Sequence, residues 1–242
     1  MKKFGSGFQE SMSKASQSIG SNRYLLSLRD GFMVAFPATM FGSIMVILQN
    51  LPTTFGFDKM VPKGVNTFLT DFFGPVSNAT MSITAIFIVF GIAYQLAGHY
   101  GQQKIFAGAI ALSSFIMLLP VGNDAKAGAF LPISKLGAQG MFVGILVAII
   151  STEIYCKISA ANITIKMPDS VPPMIAESFI AIIPGAAPLL LFNIIRYAFT
   201  FTKWGNAVDF VYEILQQPLM GLGSTLPAVL IAVLFRQLLL WF

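Results

Sequence analysis

Long apolar stretches separated by short polar connections dominate the chain. A transmembrane helix needs about 20 mostly apolar residues, and these stretches approach or exceed that length. Because backbone inside a bilayer must satisfy its own hydrogen bonds, such stretches are expected to be helical. The pattern predicts an all-α, polytopic integral membrane protein with about six transmembrane helices, over residues 31–51, 76–97, 105–120, 136–158, 173–199 and 225–242.

Three other segments are amphipathic. Residues 65–75 and 207–215 place apolar residues on one helical face, which predicts helices lying in the membrane interface. In residues 1–30, Phe8 and Met12 begin a similar pattern among Ser, Gln and Lys. For residues 1–30, a helix on the membrane surface and a plain cytoplasmic tail are both possible interpretations.

Composition agrees with a membrane protein. The chain has 242 residues, of which 55% are hydrophobic and 10% are charged, and its mean hydropathy is +0.75. A soluble domain carries about 25% charged residues. A chain with so few charges does not cover its own surface in water, so its length is best divided into membrane crossings.

Several function classes lack their sequence signals. The net charge of +5 is spread between apolar runs, without the basic cluster that nucleic-acid binding requires. The single cysteine, Cys156, excludes a disulfide within the chain. No glycine-rich phosphate loop and no metal-ligand motif is present in the sequence. We therefore predict no cofactor, no metal and no nucleic-acid partner, and leave open whether the protein counts as an enzyme.

Lysine and arginine positions give the orientation. With the N-terminus inside, the inner segments carry eight Lys and Arg residues and the outer ones six. The first helix favours this direction because its N-terminal flank is basic. The prediction is a multi-pass membrane protein with a cytoplasmic N-terminus.

A few polar residues in or near the spans are functional candidates. Asn78 is predicted to line a substrate path, although interhelical hydrogen bonding is the commoner use of such a residue. Glu177 is predicted to cap a helix or to contact another domain. Arg236 is predicted to face a water-filled cavity or a partner helix, with ordinary snorkelling as the alternative. Glu153 and Lys157, four residues apart, predict an ion pair.

Glycines recur at three- and four-residue spacing in the fourth span. Gly137, Gly140 and Gly144 fall on one helical face. Small residues let helix backbones approach closely in membranes. The spacing predicts tight helix packing, with a dimer seam as one location for it.

The segment KMPDSVPPMIAESFIAIIPG, residues 166–185, is both a helix stop and a helix start. Pro172 and Pro173 end any preceding helix and suit the first turn of the next one. Asp169 or Ser170 is predicted to cap that turn. The segment, together with LGAQGMFVGILVAIISTEIY (136–155), PLMGLGS (218–224) and LLLWF (238–242), resembles the membrane subunit IIC of bacterial sugar phosphotransferase systems, in its lactose/cellobiose/diacetylchitobiose branch.

This resemblance implies a function. A IIC subunit translocates a sugar, here a β-linked disaccharide such as cellobiose or lactose, and a IIB partner phosphorylates it in the cytoplasm. The resemblance also implies a homodimer in the lipid bilayer. Family members continue beyond the LLWF run, so the chain is interpreted as an N-terminal half. Trp241 is the predicted sugar-binding residue, with an interfacial aromatic anchor as the alternative.

The resemblance also divides the chain into predicted domains. These are an amphipathic segment (1–30), a five-helix scaffold and dimerisation domain (31–200), an interfacial connector (201–224) and the truncated start of the substrate-binding half (225–242). A different class of function remains open: a membrane oligomerisation module without transport of its own. A proton- or ion-coupled carrier is disfavoured because only Arg236 is ionisable at mid-membrane.

Overall fold

The computed structural model describes residues 20–56, 61–124, 126, 128–165, 167–168, 170–218, 221 and 230. Within these residues the chain is mainly helical, which confirms the predicted all-α class. An antiparallel hairpin of β1 (Gly122–Asp124) and β2 (Gly128–Phe130) is followed by a 3-10 turn at Ile133–Lys135. The helices are α1 (Arg23–Gln49), α2 (Leu51–Thr54), α3 (Lys63–Asn78), α4 (Thr84–His99), α5 (Lys104–Met117), α6 (Ala138–Ala160), α7 (Pro173–Ile180), α8 (Ile182–Phe199) and α9 (Ala207–Val211).

The first span begins earlier than its hydropathy indicates. α1 starts at Arg23 and not at Gly31, because the Asn22 side chain caps it by accepting the N–H of Tyr24 at 2.9 Å. The helix then continues through Pro37, as membrane helices tolerate. The last part of the predicted segment 1–30 therefore belongs to α1, while residues 1–19 lie outside the described residues.

The predicted second span, 76–97, is divided between two helices. α3 ends at Asn78 and α4 starts at Thr84. Between them, the Thr80 hydroxyl donates to the carbonyl of Val76 at 2.7 Å, and the Thr84 hydroxyl donates to that of Met81 at 2.7 Å. Such local bonds compete with a regular helix, so an apolar run that is continuous in hydropathy is interrupted here.

The amphipathic segments predicted over 65–75 and 207–215 are helical. The first forms most of α3. The second forms α9, which continues into a π-helical turn at Tyr212–Gln216. The sixth predicted span, 225–242, lies outside the described residues except for Leu230.

α4 lies at the centre of the bundle. Ile88, Val89, Ile92 and Leu96 are each 1% exposed or less. The helix packs against α1, α5 and α6, and the core continues into α5 through Phe115. A helix buried on several sides reads as uniformly apolar, as α4 does.

Glycines permit the closest helix approaches. A Cβ on Gly31 of α1 would lie 2.6 Å from the backbone nitrogen of Ile92, and one on Gly91 would lie 2.6 Å from the carbonyl oxygen of Gly31. On α6, a Cβ on Gly144 would meet Val89 at 2.6 Å. The predicted close packing is confirmed for Gly144, which packs against α4 of the same chain; a dimer seam stays a prediction.

Large apolar side chains cover much of the outside. Met33 of α1 is 61% exposed, Phe68 of α3 is 58% exposed and Leu190 of α8 is 62% exposed. Such surfaces are unfavourable in water but natural against lipid. Among the described residues, three stretches are helical, apolar and long enough to cross a membrane, namely Arg23–Gln49, Ala138–Ala160 and the nearly continuous Pro173–Phe199.

The proline-rich entry to the last of these stretches behaves largely as predicted. α7 begins with Pro173 in its first turn. Its N-cap is Pro172, which makes no side-chain cap bond. Of the two predicted caps, Ser170 lies before the N-cap position. Asp169 lies outside the described residues, so capping by Asp169 stays a prediction. α8 follows directly, with the Gly185 N–H donating to the carbonyl of Ala181 at 2.9 Å.

Candidate functional site

Polar side chains gather at one end of the bundle around Glu153, near the C-terminal end of α6. Its Oε1 accepts the hydroxyl of Tyr24 on α1 at 2.9 Å and also that of Tyr100 in the turn after α4. Its Oε2 lies 3.4 Å from Nζ of Lys157, which confirms the predicted ion pair. One carboxylate thus ties three parts of the fold together.

Arg23 completes this group, which we call the Glu153 cluster (Arg23, Tyr24, Tyr100, Glu153 and Lys157). The Arg23 guanidinium lies over the Tyr100 ring, 4.4 Å from its centroid. Burial raises the pKa of Tyr100, and the hydrogen bond to Glu153 raises it further. The phenol therefore remains a donor at neutral pH, and the cluster joins α1, α6 and the turn after α4 through charged and polar contacts.

A second polar group lies at the opposite end of the bundle, which we call the Asp209 group (Lys135, Asn206 and Asp209). Lys135, just before α6, forms an ion pair with Asp209 of α9. The Asn206 side chain caps α9 by accepting the Asp209 N–H at 2.8 Å, and its amide donates to Asp209 Oδ2 at 2.7 Å. These contacts fix the connector to the spanning helices.

Two opposing effects act on the Asp209 carboxyl. Burial raises its pKa, whereas the hydrogen bonds from Lys135 and Asn206 and the charge of Lys135 lower it. The net result is a pKa below the ordinary Asp value. Asp209 is therefore ionised at neutral pH and its charge is compensated locally.

Clefts lie at both ends of the helix bundle. Near the Asp209 group, a cleft of about 290 Å³ runs between the end of α5 and the start of α9, and an apolar cleft of about 380 Å³ lies beside the hairpin. Arg196 and Val121 line both of them. At the other end, Tyr94, Gln102 and Lys104 line a cleft of about 290 Å³.

The structure places two of the four predicted site residues and does not join them. Asn78 is exposed at the end of α3, where its Oδ1 accepts a long bond of 3.4 Å from the Ser82 hydroxyl. Glu177 is half-buried on α7, and its side chain forms no hydrogen bond or ion pair with another described residue. Trp241 and Arg236 lie outside the described residues.

Among the described residues, no three His, Cys, Asp or Glu side chains lie close enough together to hold a metal ion. Cys156 is 1% exposed within α6, so its thiol is enclosed by neighbouring helices.

The two tyrosines of the Glu153 cluster are residues that sequence reasoning missed. Tyr24 and Tyr100 are separated from Glu153 by 129 and 53 positions. No local pattern links residues so far apart. The available signal was physical: an acid in a membrane helix needs partners, and only Lys157 is close in sequence.

Long apolar helices with charges gathered at their ends define a polytopic helical membrane protein. The family described as "Phosphotransferase system, EIIC" matches residues 29–242. The chain therefore belongs to the EIIC family of sugar phosphotransferase systems, and its relatives place it in the cellobiose, lactose and diacetylchitobiose branch.

The similar proteins agree with one another. The oligo-beta-mannoside-specific EIIC component of Bacillus subtilis is 45% identical over 93% of this chain and 51% of its own length. The cellobiose-specific EIIC component of Geobacillus stearothermophilus is 36% identical over 91% of this chain and 51% of its own. The crystal structure of ChbC, the IIC component of an N,N'-diacetylchitobiose-specific phosphotransferase system, has a TM-score of 0.81 and 32% identity over 96% of this chain and 55% of its own. The chain thus spans about half the length of these relatives.

Proposed function

We propose that this chain forms the N-terminal half of a sugar-translocating IIC subunit that takes up a β-linked disaccharide or short oligosaccharide. The observation that carries the proposal is the match of nearly the whole chain to the ChbC fold, at a TM-score of 0.81. The names of the similar proteins, which specify oligo-beta-mannosides and cellobiose, support the β-linked substrate class.

Within such a subunit, the described helices act mainly as the scaffold. The buried α4 and the glycine contacts with α1 and α6 give a rigid block. Sugar recognition by Trp241 and the segments that follow it in longer relatives remains our proposal for the binding site. Asn78 is proposed to line the path, and Glu177 and Arg236 to contact the substrate-binding half.

The proposed partners follow from the transport cycle. A IIB subunit docks on the cytoplasmic side and phosphorylates the delivered sugar, which traps it in the cell. We place the N-terminus and the Glu153 cluster on that side of the bacterial cytoplasmic membrane. Exposed apolar faces such as that around Phe68 are available for lipid and for a second copy in a homodimer.

The test is complementation. Residues 1–242 are expressed together with the unmatched remainder of the oligo-beta-mannoside relative, in a host that lacks its own β-glucoside permease and contains matching IIA and IIB subunits. We expect uptake of radiolabelled cellobiose or mannobiose and recovery of the sugar phosphate. Each half alone is the control. Both halves present in the membrane without sugar phosphate would contradict the proposal.

The same strains distinguish the proposed transporter from the alternative, an oligomerisation module without transport. It predicts cross-linked dimers of residues 1–242 and no uptake in any combination. We also expect purified residues 1–242 to show no calorimetric binding of cellobiose. Measurable binding would move the sugar site into the present chain.

A further inference from the structure

We propose that the chain binds one anionic phospholipid beside Arg196, with the headgroup phosphate on the guanidinium and an acyl chain in the adjoining apolar cleft. The site lies at the end of α8 next to the hairpin, and it is independent of the sugar chemistry proposed above.

Arg196 is the charged element of this site. It is exposed in the last turn of α8, and its side chain forms no hydrogen bond or ion pair with another described residue. Its neighbours on the helix include Ile194 and Tyr197, which are 66% and 62% exposed. A guanidinium matches phosphate geometry well because its N–H groups donate in pairs. An uncompensated guanidinium on a lipid-facing helix therefore favours an anionic headgroup.

The aromatic residues near Arg196 indicate that it lies at the depth of the lipid headgroups. Tyr and Trp concentrate at the membrane–water interface, and Tyr197 and Trp204 both follow Arg196 closely along the chain. A second basic residue, Lys203, follows Arg196 by seven positions. Its Nζ lies 4.4 Å from the centroid of the Trp204 ring. The acid Asp209 on α9 is already paired with Lys135, which limits its repulsion of an anion.

The apolar cleft distinguishes a lipid from a free anion. It has a volume of about 380 Å³ and is lined by Ile116, Met117, Val121, Ala129, Phe130 and Leu131 together with Arg196. Val121 is 57% exposed and Phe130 is 47% exposed. An acyl chain covers such side chains, whereas inorganic phosphate leaves them bare. Snorkelling of Arg196 alone would give no such cleft and no preference among lipids.

The test is native mass spectrometry of the full 242-residue chain released from detergent, with phosphatidylglycerol or phosphatidylcholine added. We expect one phosphatidylglycerol retained per chain and little phosphatidylcholine. Arg196→Gln should reduce retention by at least about fivefold, since one basic residue near the membrane surface contributes roughly that factor. Lys203→Gln is the matched control and should retain the lipid.

A second pair of variants tests the acyl chain. Val121→Trp, which fills the cleft, should reduce retention while Arg196 is kept, and Ile194→Trp on the open helix face should not. Thermal unfolding of each variant establishes that it is folded. Equal retention of both lipids, retention by Arg196→Gln, or full displacement of the lipid by inorganic phosphate would each overturn the proposal.

Discussion

Glu153 illustrates how much a single residue contributes at a membrane boundary. Its carboxylate is 15% exposed and receives two phenolic hydroxyls, whereas its ion-pair partner Lys157 is 74% exposed. A buried group left without its partner costs about 1–3 kcal/mol, while an exposed ion pair contributes about 0–1 kcal/mol. Glu153 is therefore expected to contribute more to the stability of the fold than Lys157, although the two form one ion pair.

We accordingly expect Glu153→Ala to destabilise the protein more than Lys157→Ala. The first change leaves the hydroxyls of Tyr24 and Tyr100 without their acceptor. The second removes only a partner that faces solvent. Thermal unfolding in detergent measures both, and Lys157→Ala serves as the control. Equal losses of stability would show that the tyrosines contribute little.

Glycine contacts give a second prediction at the residue scale. Gly91→Ala places a methyl group against the carbonyl oxygen of Gly31, at 2.6 Å before relaxation. Overpacking of this kind costs about 1–3 kcal/mol, which corresponds to a loss of roughly 5 °C in Tm for a chain of this size. Gly64→Ala is the matched control, because a Cβ there would meet nothing within 4 Å. A Tm of Gly91→Ala equal to that of the control would contradict the observed packing.

At this scale, the sequence predicted local contacts and missed distant ones. The Glu153–Lys157 pair follows from helical spacing alone. The bond from Tyr24 to the same carboxylate depends on how α1 packs, which no local pattern contains. For the same reason, Asn78 and Glu177 remained candidates by residue type only.

Among the elements, the connector α9 depends on a compensated charge. Asp209 anchors it to Lys135, and the pKa of Asp209 lies below the ordinary value of about 3.9. A depressed carboxyl pKa stabilises the fold above the ordinary value, and this contribution is lost as pH falls through the folded-state pKa. The attachment of α9 should therefore be constant near neutral pH and weaken below about pH 4.

Trp204 reports on this attachment, because its Nε1 donates to Glu213 at 2.9 Å and its ring packs on Phe210. In a Trp241→Phe background it is the only tryptophan. We expect its fluorescence to change on acidification, and Asp209→Asn to remove most of that change. Glu213→Gln is the control for the carboxylate that accepts the Trp204 hydrogen bond directly. An unchanged acid response in Asp209→Asn would refute the role of the Lys135 pair.

Elements differ in how far the sequence determines them. The fourth and fifth spans were placed to within a few residues, because α6 and α7–α8 are long and bounded by Gly and Pro. The second span was not placed correctly. A hydropathy average over the whole run does not register the local hydrogen bonds of the Thr80 and Thr84 hydroxyls, which interrupt the helix. Composition identifies a membrane segment, but side-chain hydrogen bonds determine where its helix starts.

For the whole molecule, the orientation in the membrane remains a prediction. Lys126 is exposed in the hairpin, and Gly20 is exposed before α1, where a Cβ would meet nothing within 4 Å. Because Cys156 is buried, a cysteine introduced at either position is the only accessible thiol among the described residues.

We expect a membrane-impermeant maleimide to label Lys126→Cys in intact cells and Gly20→Cys only after permeabilisation. Labelling of the unsubstituted chain provides the background. The reverse pattern would place the N-terminus outside and would also exclude a cytoplasmic position for the Glu153 cluster.

The shortness of α4 has a consequence for biogenesis. Its 16 residues span about 24 Å, less than the hydrocarbon thickness of about 30 Å. The ribosome delivers α1 first and α6 last of its large neighbours, so α4 enters the membrane with one flank still open to lipid. Stable integration of α4 therefore depends on α1 remaining beside it at the translocon until α6 has been synthesised.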